Sequence, residues 1–114
     1  MTESKELIRG TLKTIVLKLL AENGRMYGYE ITQRVKVLTE GEIKLNFGAL
    51  YPILHKLEED GLLVTETETI DGRVRKYYSL TPKGNAWADQ KVKALERFME
   101  HLQALLGPQP SLSV

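Results

Sequence analysis

The sequence contains no cysteine, which excludes disulfide bonds and thiolate metal sites and is consistent with a reducing compartment. It also lacks a long apolar run. The longest, TIVLKLLA at residues 14–21, is far too short to cross a bilayer. The N-terminal stretch MTESKELIRG does not have the basic-then-apolar layout of a signal peptide. These absences predict a soluble, cytoplasmic protein that does not enter a membrane.

The chain also lacks an excess of charge of either sign. Sixteen lysine and arginine residues stand against fifteen aspartate and glutamate residues, a net charge of +1, whereas nucleic-acid-binding domains are often more basic. If the protein binds DNA, its positive charge must therefore be concentrated locally. The sequence has no nucleophile elbow, phosphate-binding glycine loop or paired acids in a loop. We therefore expect neither an enzyme nor a bound cofactor.

A chain of 114 residues suffices for one domain with an appended segment. Over most of its length the apolar residues recur at the spacing of an α-helix, which predicts four helices. Asn23-Gly24 and Gly61 are typical of helix ends, Asn46 of an N-cap, and Thr81-Pro82 of a helix start. The predicted helices are Ser4 to Asn23, Tyr29 to Leu38, Asn46 to Asp60, and Pro82 to about Leu106.

Between the last two helices, LLVTETETIDGRVRKYYSL at residues 62–80 predicts a β-hairpin turning at Asp71-Gly72. That turn would pair Ile70 with Arg73 and Glu68 with Arg75. The predicted fold class is mainly α with a small β-hairpin, a winged helix-turn-helix with an N-terminal helix and a long C-terminal dimerisation helix. Residues 1–80 would form the winged domain, 81–106 the dimerisation helix, and 107–114 a disordered tail.

The third predicted helix, NFGALYPILHKLEEDG, carries a proline in its second turn. Leu50 and Leu54 define a core face on the helical projection, and Gly48 and Pro52 lie on the opposite face. Pro52 lacks the N–H that would bond to the carbonyl of Gly48. Because Gly48 and Ala49 have almost no side chain, the leading end of this helix is expected to be thin, uncharged and locally bent.

A thin, uncharged helix end with free N–H groups suits close approach to DNA phosphates and bases. Asn46, Gly48 and Ala49 would allow this approach and make backbone contacts. Tyr51 and His55 are long enough to touch base edges in a major groove. The alternative is that Tyr51 and its neighbouring proline pack against another helix.

Three motifs together resemble the PadR-like winged-helix transcriptional regulators. They are GRMYGYEI at residues 24–31, GALYPILHKLEEDGLL at 48–63, and RKYYSLTPKG at 75–84. The resemblance covers about residues 7–84, and the single C-terminal helix is similar to that of the family's smaller subgroup. It implies a sequence-specific, DNA-binding transcriptional regulator, a ligand-responsive repressor that binds a pseudo-palindromic operator in double-stranded DNA as a homodimer.

The resemblance also implies contacts outside the third helix. The wing tip, IDGR, is shorter than the glycine-rich tips common in the family, which favours phosphate contact over insertion into a minor groove. The residues expected to hold phosphates are Tyr27, Lys44, Arg73, Lys76 and Tyr78.

The last predicted helix carries a heptad-like apolar seam. At 1.5 Å per residue its far end would extend beyond the winged unit, so we expect it to pair with a second copy together with the first helix. The alternative is that this face only covers its own domain. The expected interface residues are Leu12, Ile15, Leu19, Val92, Leu95, Phe98, Met99, Leu102 and Leu106.

Two other features are interpreted without a metal or ligand site. His55 with Glu58 and Glu59 has a spacing that could hold a metal ion, but a groove-facing or solvated histidine is favoured, and no metal site is predicted. Trp87 is expected to pack between the last helix and the wing or the first helix, and a ligand-sandwiching pore is not supported. A small-molecule effector is left open, with no identity.

Two other functions remain as alternatives. Near-zero net charge is compatible with a winged-helix protein-interaction module that does not bind DNA. The other alternative is a regulator whose main role is ligand sensing by the dimer core.

Overall fold

The computed structural model describes residues 6–112. It is mostly helical with one small antiparallel sheet, as the sequence predicts. After a helical turn at residues 6–8, the elements are α1 (Leu12–Asn23), β1 (Met26–Tyr27), α2 (Gly28–Leu38), α3 (Phe47–Glu59), β2 (Leu63–Ile70), β3 (Arg73–Leu80) and α4 (Pro82–Leu106).

The first predicted helix is interrupted near its N-terminus. Residues 9–11 form a turn, and α1 begins only at Leu12. The backbone N–H and the hydroxyl of Thr11 both donate to the carbonyl of Ile8, at 2.8 and 3.0 Å. Glycine and threonine are weak helix formers, so Gly10 and Thr11 allow this local alternative to the helical ladder. The prediction of one helix starting at residue 4 is therefore wrong, although residues 4 and 5 themselves lie outside the described range.

The predicted hairpin is confirmed in both position and register. Ile70 lies opposite Arg73, and Glu68 lies opposite Arg75. Asp71-Gly72 forms the connection, with positive φ at both residues (50° and 77°). This is the backbone that lets a two-residue turn match the twist of the flanking strands.

The strand β1 is not predicted by the sequence pattern. This strand consists of Met26 and Tyr27 alone and pairs antiparallel with Tyr78 and Tyr77 of β3. The resulting strand order is β1-β3-β2, so β3 is the central strand. Two residues are too few to show an alternating pattern, which is why only the folded chain reveals this strand.

The core lies where α1, α2 and α3 meet the sheet. From α3, Leu50, Leu54 and Leu57 are fully buried, which confirms the predicted core face of this helix. Burial of such leucines is a major stabilising contribution, since truncating one to alanine costs about 2–5 kcal/mol. The other members of this core with no exposed surface are Val16, Leu17 and Ile31.

The long helix α4 has two different halves. It is 25 residues long, and its first half packs against α1, with Ala88 buried and Val92 and Leu95 half-buried. The far half carries apolar side chains that are exposed. These exposed side chains are Phe98, Met99, Leu102, Leu105 and Leu106.

Two residues expected at the interface between subunits belong instead to the interior of one subunit. Leu12 and Leu19 are 4% and 6% exposed and are members of the core of their own chain. The prediction that these side chains face a partner is therefore wrong, because the apolar stripe of α1 is already covered by its own domain. Ile15 is half-buried and packs at the edge of that core.

Trp87, predicted to pack between α4 and the wing or α1, lies at the surface near the start of α4. Its side chain is 38% exposed and lines a shallow depression with Asp60, Leu62 and Lys83. The Nζ atom of Lys91, one turn along α4, lies 5.1 Å from the centre of the indole ring. In the part of the chain described, no helix is long and apolar enough to cross a membrane.

Candidate nucleic-acid interface

The leading end of α3 is capped and exposed. The Oδ1 atom of Asn46 accepts a hydrogen bond from the backbone N–H of Ala49 at 2.9 Å, as expected for an N-cap. Gly48 is exposed, and a Cβ atom there would lie 3.3 Å from the same Oδ1 atom. A side chain at position 48 would therefore crowd the cap and thicken the helix end. Pro52 lies within the helix without ending it.

Three rings form a ridge along the outer face of α3. The ring centres of Phe47 and Tyr51 are 5.5 Å apart, and those of Tyr51 and His55 are 6.2 Å apart. The spacing of four residues places them on one face. Tyr51 is 46% exposed and the other two are exposed as well. Tyr51 and His55 were predicted on this face but Phe47 was not, although the same spacing of four residues includes it.

Phe47 also joins α3 to the start of α2. A Cβ atom at Gly28 would lie 3.1 Å from the Cε1 atom of Phe47. Because Gly28 has no side chain, it leaves room for the ring of Phe47. At the same helix start, the backbone N–H of Tyr27 donates to Oε1 of Glu30 at 3.1 Å, which satisfies one of the free N–H groups of α2.

The ring of Tyr27 lies in a cluster with β3. The guanidinium carbon of Arg75 is 4.6 Å from the centre of this ring. The ring of Tyr77 approaches it edge-on at 5.5 Å, and that of Tyr29 stacks at 6.4 Å. Such cation–π and aromatic pairs restrict the position of an otherwise mobile tyrosine.

The two wing cations predicted to hold phosphates lie on opposite faces of β3. Side chains alternate along a strand, so Arg73 and Lys76, three residues apart, point to opposite sides. Lys76 faces α3, where its Nζ atom is 3.8 Å from Oε1 of Glu58. The other carboxylate oxygen of Glu58 accepts from the hydroxyl of Thr65 at 3.2 Å. Glu58 therefore ties the C-terminal end of α3 to both strands of the wing.

Arg25 makes a second connection on the other face of the wing, which the sequence did not predict. Arg25 makes ion pairs with Glu66 at 3.0 Å and with Glu68 at 2.7 Å. Its guanidinium carbon also lies 4.1 Å from the ring centre of Tyr77. Because Arg25 precedes β1 directly, these contacts hold the wing strands to the start of the helix-turn-helix. No local pattern in the sequence marks this partnership.

Tyr78 cannot contact phosphate. Its side chain is 1% exposed, and its hydroxyl is buried without a hydrogen-bond partner among the described residues. Burial raises the pKa of this hydroxyl above its usual value, and the nearby Tyr51 and Glu58 add to the effect. The predicted role of Tyr78 is therefore wrong: residue 78 faces inward because the sheet packs this face of β3 against the core.

Lys44 lies in the loop before α3 and is exposed. Neither Lys44 nor Arg73 makes an ion pair or a side-chain hydrogen bond with any residue between 6 and 112. Their charges are therefore available to an anionic partner. Lys44 precedes the leading end of α3 and Arg73 lies next to the hairpin turn, whereas Lys76 is paired with Glu58 near the C-terminal end of the helix.

Comparison with known proteins identifies the family. The model of the transcriptional regulator PadR-like family matches residues 16–90. The chain belongs to this family. The resemblance drawn from the three motifs is thereby confirmed, and so is the expectation of a regulator rather than an enzyme.

Individual relatives are similar over nearly the whole chain. A transcriptional regulator of Mycobacterium tuberculosis, Rv3488, is 37% identical over 105 residues, which are 92% of this chain and 92% of that protein. A solved transcriptional regulator from Clostridium thermocellum has a TM-score of 0.80 at 29% identity, covering 90% of this chain and 99% of that one.

A further solved structure is of Bacillus subtilis PadR in complex with operator DNA. It matches with a TM-score of 0.63 and 25% identity, over 90% of this chain and 51% of that chain. The winged-helix fold predicted from the motifs is confirmed by these PadR-like neighbours.

Proposed function

We propose that this PadR-like regulator is a ligand-responsive repressor that binds a pseudo-palindromic operator as a homodimer. The observation that carries the proposal is the exposed leading end of α3, with its ring ridge, beside a wing that is fixed to the same helix by Glu58. The operator complex of the Bacillus subtilis relative supports DNA as the partner. A DNA partner also implies a cytoplasmic location.

In this proposal α3 enters a major groove by its N-terminal end. Asn46, Gly48 and Ala49 bring backbone N–H groups and the positive end of the helix dipole close to the DNA. Tyr51 and His55 contact base edges, where a tyrosine ring can cover a thymine methyl group and a histidine can donate to or accept from a base. These contacts would carry the sequence specificity.

Phosphate contacts would come from the residues around α3. Lys44 precedes the helix, Lys76 and Arg73 lie on the two faces of the wing, and Tyr27 is held in position by Arg75. A net charge of +1 does not oppose this role, because Lys44 and Arg73 have no ion-pair partner among residues 6–112 and their charges are available to phosphate. Such contacts fix the position of the protein on the duplex rather than its sequence preference.

The dimer would be formed by α4, with a contribution from Ile15 of α1. The far half of α4 leaves Phe98, Met99, Leu102 and Leu106 exposed, and contiguous apolar surface of this kind is typical of interfaces. A symmetric pair would place two α3 helices against successive major grooves, about 34–36 Å apart. Val92 and Leu95 would extend the seam toward the winged domains.

The test is binding to the promoter fragment upstream of the gene at two salt concentrations, with a shuffled duplex as the control. We expect the promoter to be bound at least about 10³-fold more tightly, the range of specific over non-specific binding, and the affinity to fall steeply with salt. Equal, salt-insensitive or absent binding to both duplexes would contradict the proposal and favour a protein-interaction module.

A further inference from the structure

Phe47, the first residue of α3, is the large exposed side chain at the leading end of this helix. Gly48 and Ala49 follow it with almost no side chain, and Leu50 is fully buried in the core. The first turn of α3 contains no acidic residue. Phe47 is 42% exposed, so its ring projects from the end of α3 that would meet DNA first.

Two contacts hold the ring of Phe47 in place. Its centre lies 5.5 Å from the ring centre of Tyr51 on the same helix. Its Cε1 atom lies against Gly28 at the start of α2, where a Cβ atom would be 3.1 Å away. A ring packed against two helices has little rotamer freedom left to lose on binding. The exposed part of the ring is therefore preorganised for a contact.

The chemistry of this ring limits what it can recognise in DNA. A phenyl group has no hydrogen-bond donor or acceptor, so it cannot pair with the polar atoms of the base edges. The apolar group that a base presents in the major groove is the 5-methyl group of thymine. Burial of apolar surface is favourable, whereas covering a polar base atom with a phenyl ring leaves that atom unpaired. Thymine is therefore the base that Phe47 would favour.

We propose that Phe47 determines sequence specificity by packing its ring against the 5-methyl group of a thymine in the operator. The inference rests on the function proposed above. The rings of Phe47 and Tyr51 are 5.5 Å apart, and neighbouring bases of one strand are about 3.4 Å apart along the helix axis. The thymine read by Phe47 therefore lies within one or two base steps of the base that Tyr51 contacts.

The surroundings of Phe47 favour DNA over a protein partner. Lys44, three residues earlier, is exposed and has no ion-pair partner among residues 6–112. Free backbone N–H groups lie at the same helix end, beside the cap formed by Asn46. A cation and a helix N-terminus suit phosphate. An apolar ring between such groups fits a base edge flanked by the DNA backbone.

The experiment compares thymine with deoxyuridine, which lacks only the 5-methyl group. The duplex is the sequence that the full wild-type chain selects from a random pool, and each thymine in it is replaced in turn. Fluorescence anisotropy measures the affinity. We expect one thymine in each half-site whose replacement weakens wild-type binding about fourfold, the scale of removing one methyl group from water. Replacement in both half-sites should weaken binding about sixteenfold, because the two contacts are independent.

Phe47→Ala should bind the thymine and deoxyuridine duplexes equally at that position. Tyr51→Ala is the matched comparison, since it removes the neighbouring ring one turn along α3. Its overall affinity should be lower, but it should still distinguish the two bases at the position read by Phe47. Phe47→Gln is a second variant, which introduces a good helix former without an apolar ring and should lose the same discrimination. Circular dichroism of each variant confirms that it is folded.

Two results would overturn the assignment of Phe47. If Phe47→Ala still responds to the same replacement, another side chain reads the methyl group. If no replacement weakens the wild type, the ring contacts the sugar-phosphate backbone or a protein.

The outcome also separates this inference from the function on which it rests. If the promoter is not preferred over a shuffled duplex but the selected duplex shows the Phe47-dependent effect, the repressor proposed above fails and the assignment of Phe47 stands. A wild type that selects no sequence would overturn both.

Discussion

Gly84 packs its backbone against the carbonyl group of Leu62, so closely that a Cβ atom at position 84 would overlap the carbonyl oxygen. The same oxygen accepts a hydrogen bond from the N–H of Thr81 at 3.1 Å. The hydroxyl of Thr81 donates to the carbonyl of Gly61 at 2.7 Å and accepts from the N–H of Gly84 at 3.0 Å. The start of α4 is thereby fixed to the segment that joins α3 to the wing.

Gly84→Ala should therefore destabilise the protein, because the clash is with backbone and cannot be relieved by a rotamer change. We expect a loss of about 1–3 kcal/mol or more, the scale of overpacking, measured by urea unfolding. Gly10→Ala is the control, since nothing lies within 4 Å of a Cβ atom at that position. Equal stability of the two variants would contradict the packing described here.

Tyr78→Phe should stabilise the protein at neutral pH. The substitution removes a buried hydroxyl that has no partner in the described range, and an unsatisfied polar group of this kind costs about 1–3 kcal/mol. Thermal melting at pH 7 measures the change. A lower midpoint for the variant would mean that the hydroxyl has a partner in solution.

The same tyrosine should produce a loss of stability at high pH. Its pKa is raised above 10.0 in the folded state, with burial as the main cause. Because the folded protein holds the phenolic proton more tightly than the unfolded chain does, this group leaves the free energy of unfolding unchanged below the pKa of the unfolded chain, and that free energy falls as the pH rises from there through the folded value. Unfolding measured above pH 10.0 should therefore show a smaller loss for Tyr78→Phe than for the wild type.

Tyr51→Ala should weaken operator binding without unfolding the protein. Its ring is exposed on the ridge of α3, so we expect a loss of about 1–3 kcal/mol in affinity and little change in melting temperature. Leu54→Ala, from the buried face of the same helix, should lose about 2–5 kcal/mol of stability. Gel shift and thermal melting on both variants test this, and an early-melting Tyr51→Ala with normal affinity would refute it.

Lys76→Ala and Arg73→Ala should each weaken binding to every duplex by a similar factor. Each should lower the slope of log affinity against log salt by about one unit, the expected effect of one lost phosphate contact. Because the two side chains lie on opposite faces of β3, the double variant should show the sum. Arg97→Ala is the control on α4. A loss confined to one base position would indicate base readout instead.

Leu102→Glu should separate the dimer. Leu102 is 39% exposed on the far half of α4, so the substitution costs its own subunit little but would bury an unpaired charge between subunits. Light scattering at micromolar concentration should give half the wild-type mass. Leu95→Glu should act in the same direction, but Leu95 is half-buried in its own subunit, so that variant also loses stability. A monomeric wild type would refute the dimer.

The sequence by itself determined the elements whose signals are local. The Asn46 cap, the buried leucines of α3, the Asp71-Gly72 turn and the Thr81-Pro82 start each depend on neighbours within a few residues. The hairpin register followed from the turn alone. The three family motifs, read in order, were sufficient for the fold and for a regulatory role.

The tertiary structure decided which side chains face outward. Residue alternation places Lys76 and Tyr78 on the same face of β3, but only packing against α3 and the core determines that Tyr78 is buried while Lys76 reaches Glu58. Residues distant in sequence likewise bury Leu12 and Leu19 and pair β1 with β3. They also determine the close contact between Gly84 and the carbonyl of Leu62. Periodicity shows that a helix or strand has an apolar face, whereas the packing of the whole chain determines what covers it.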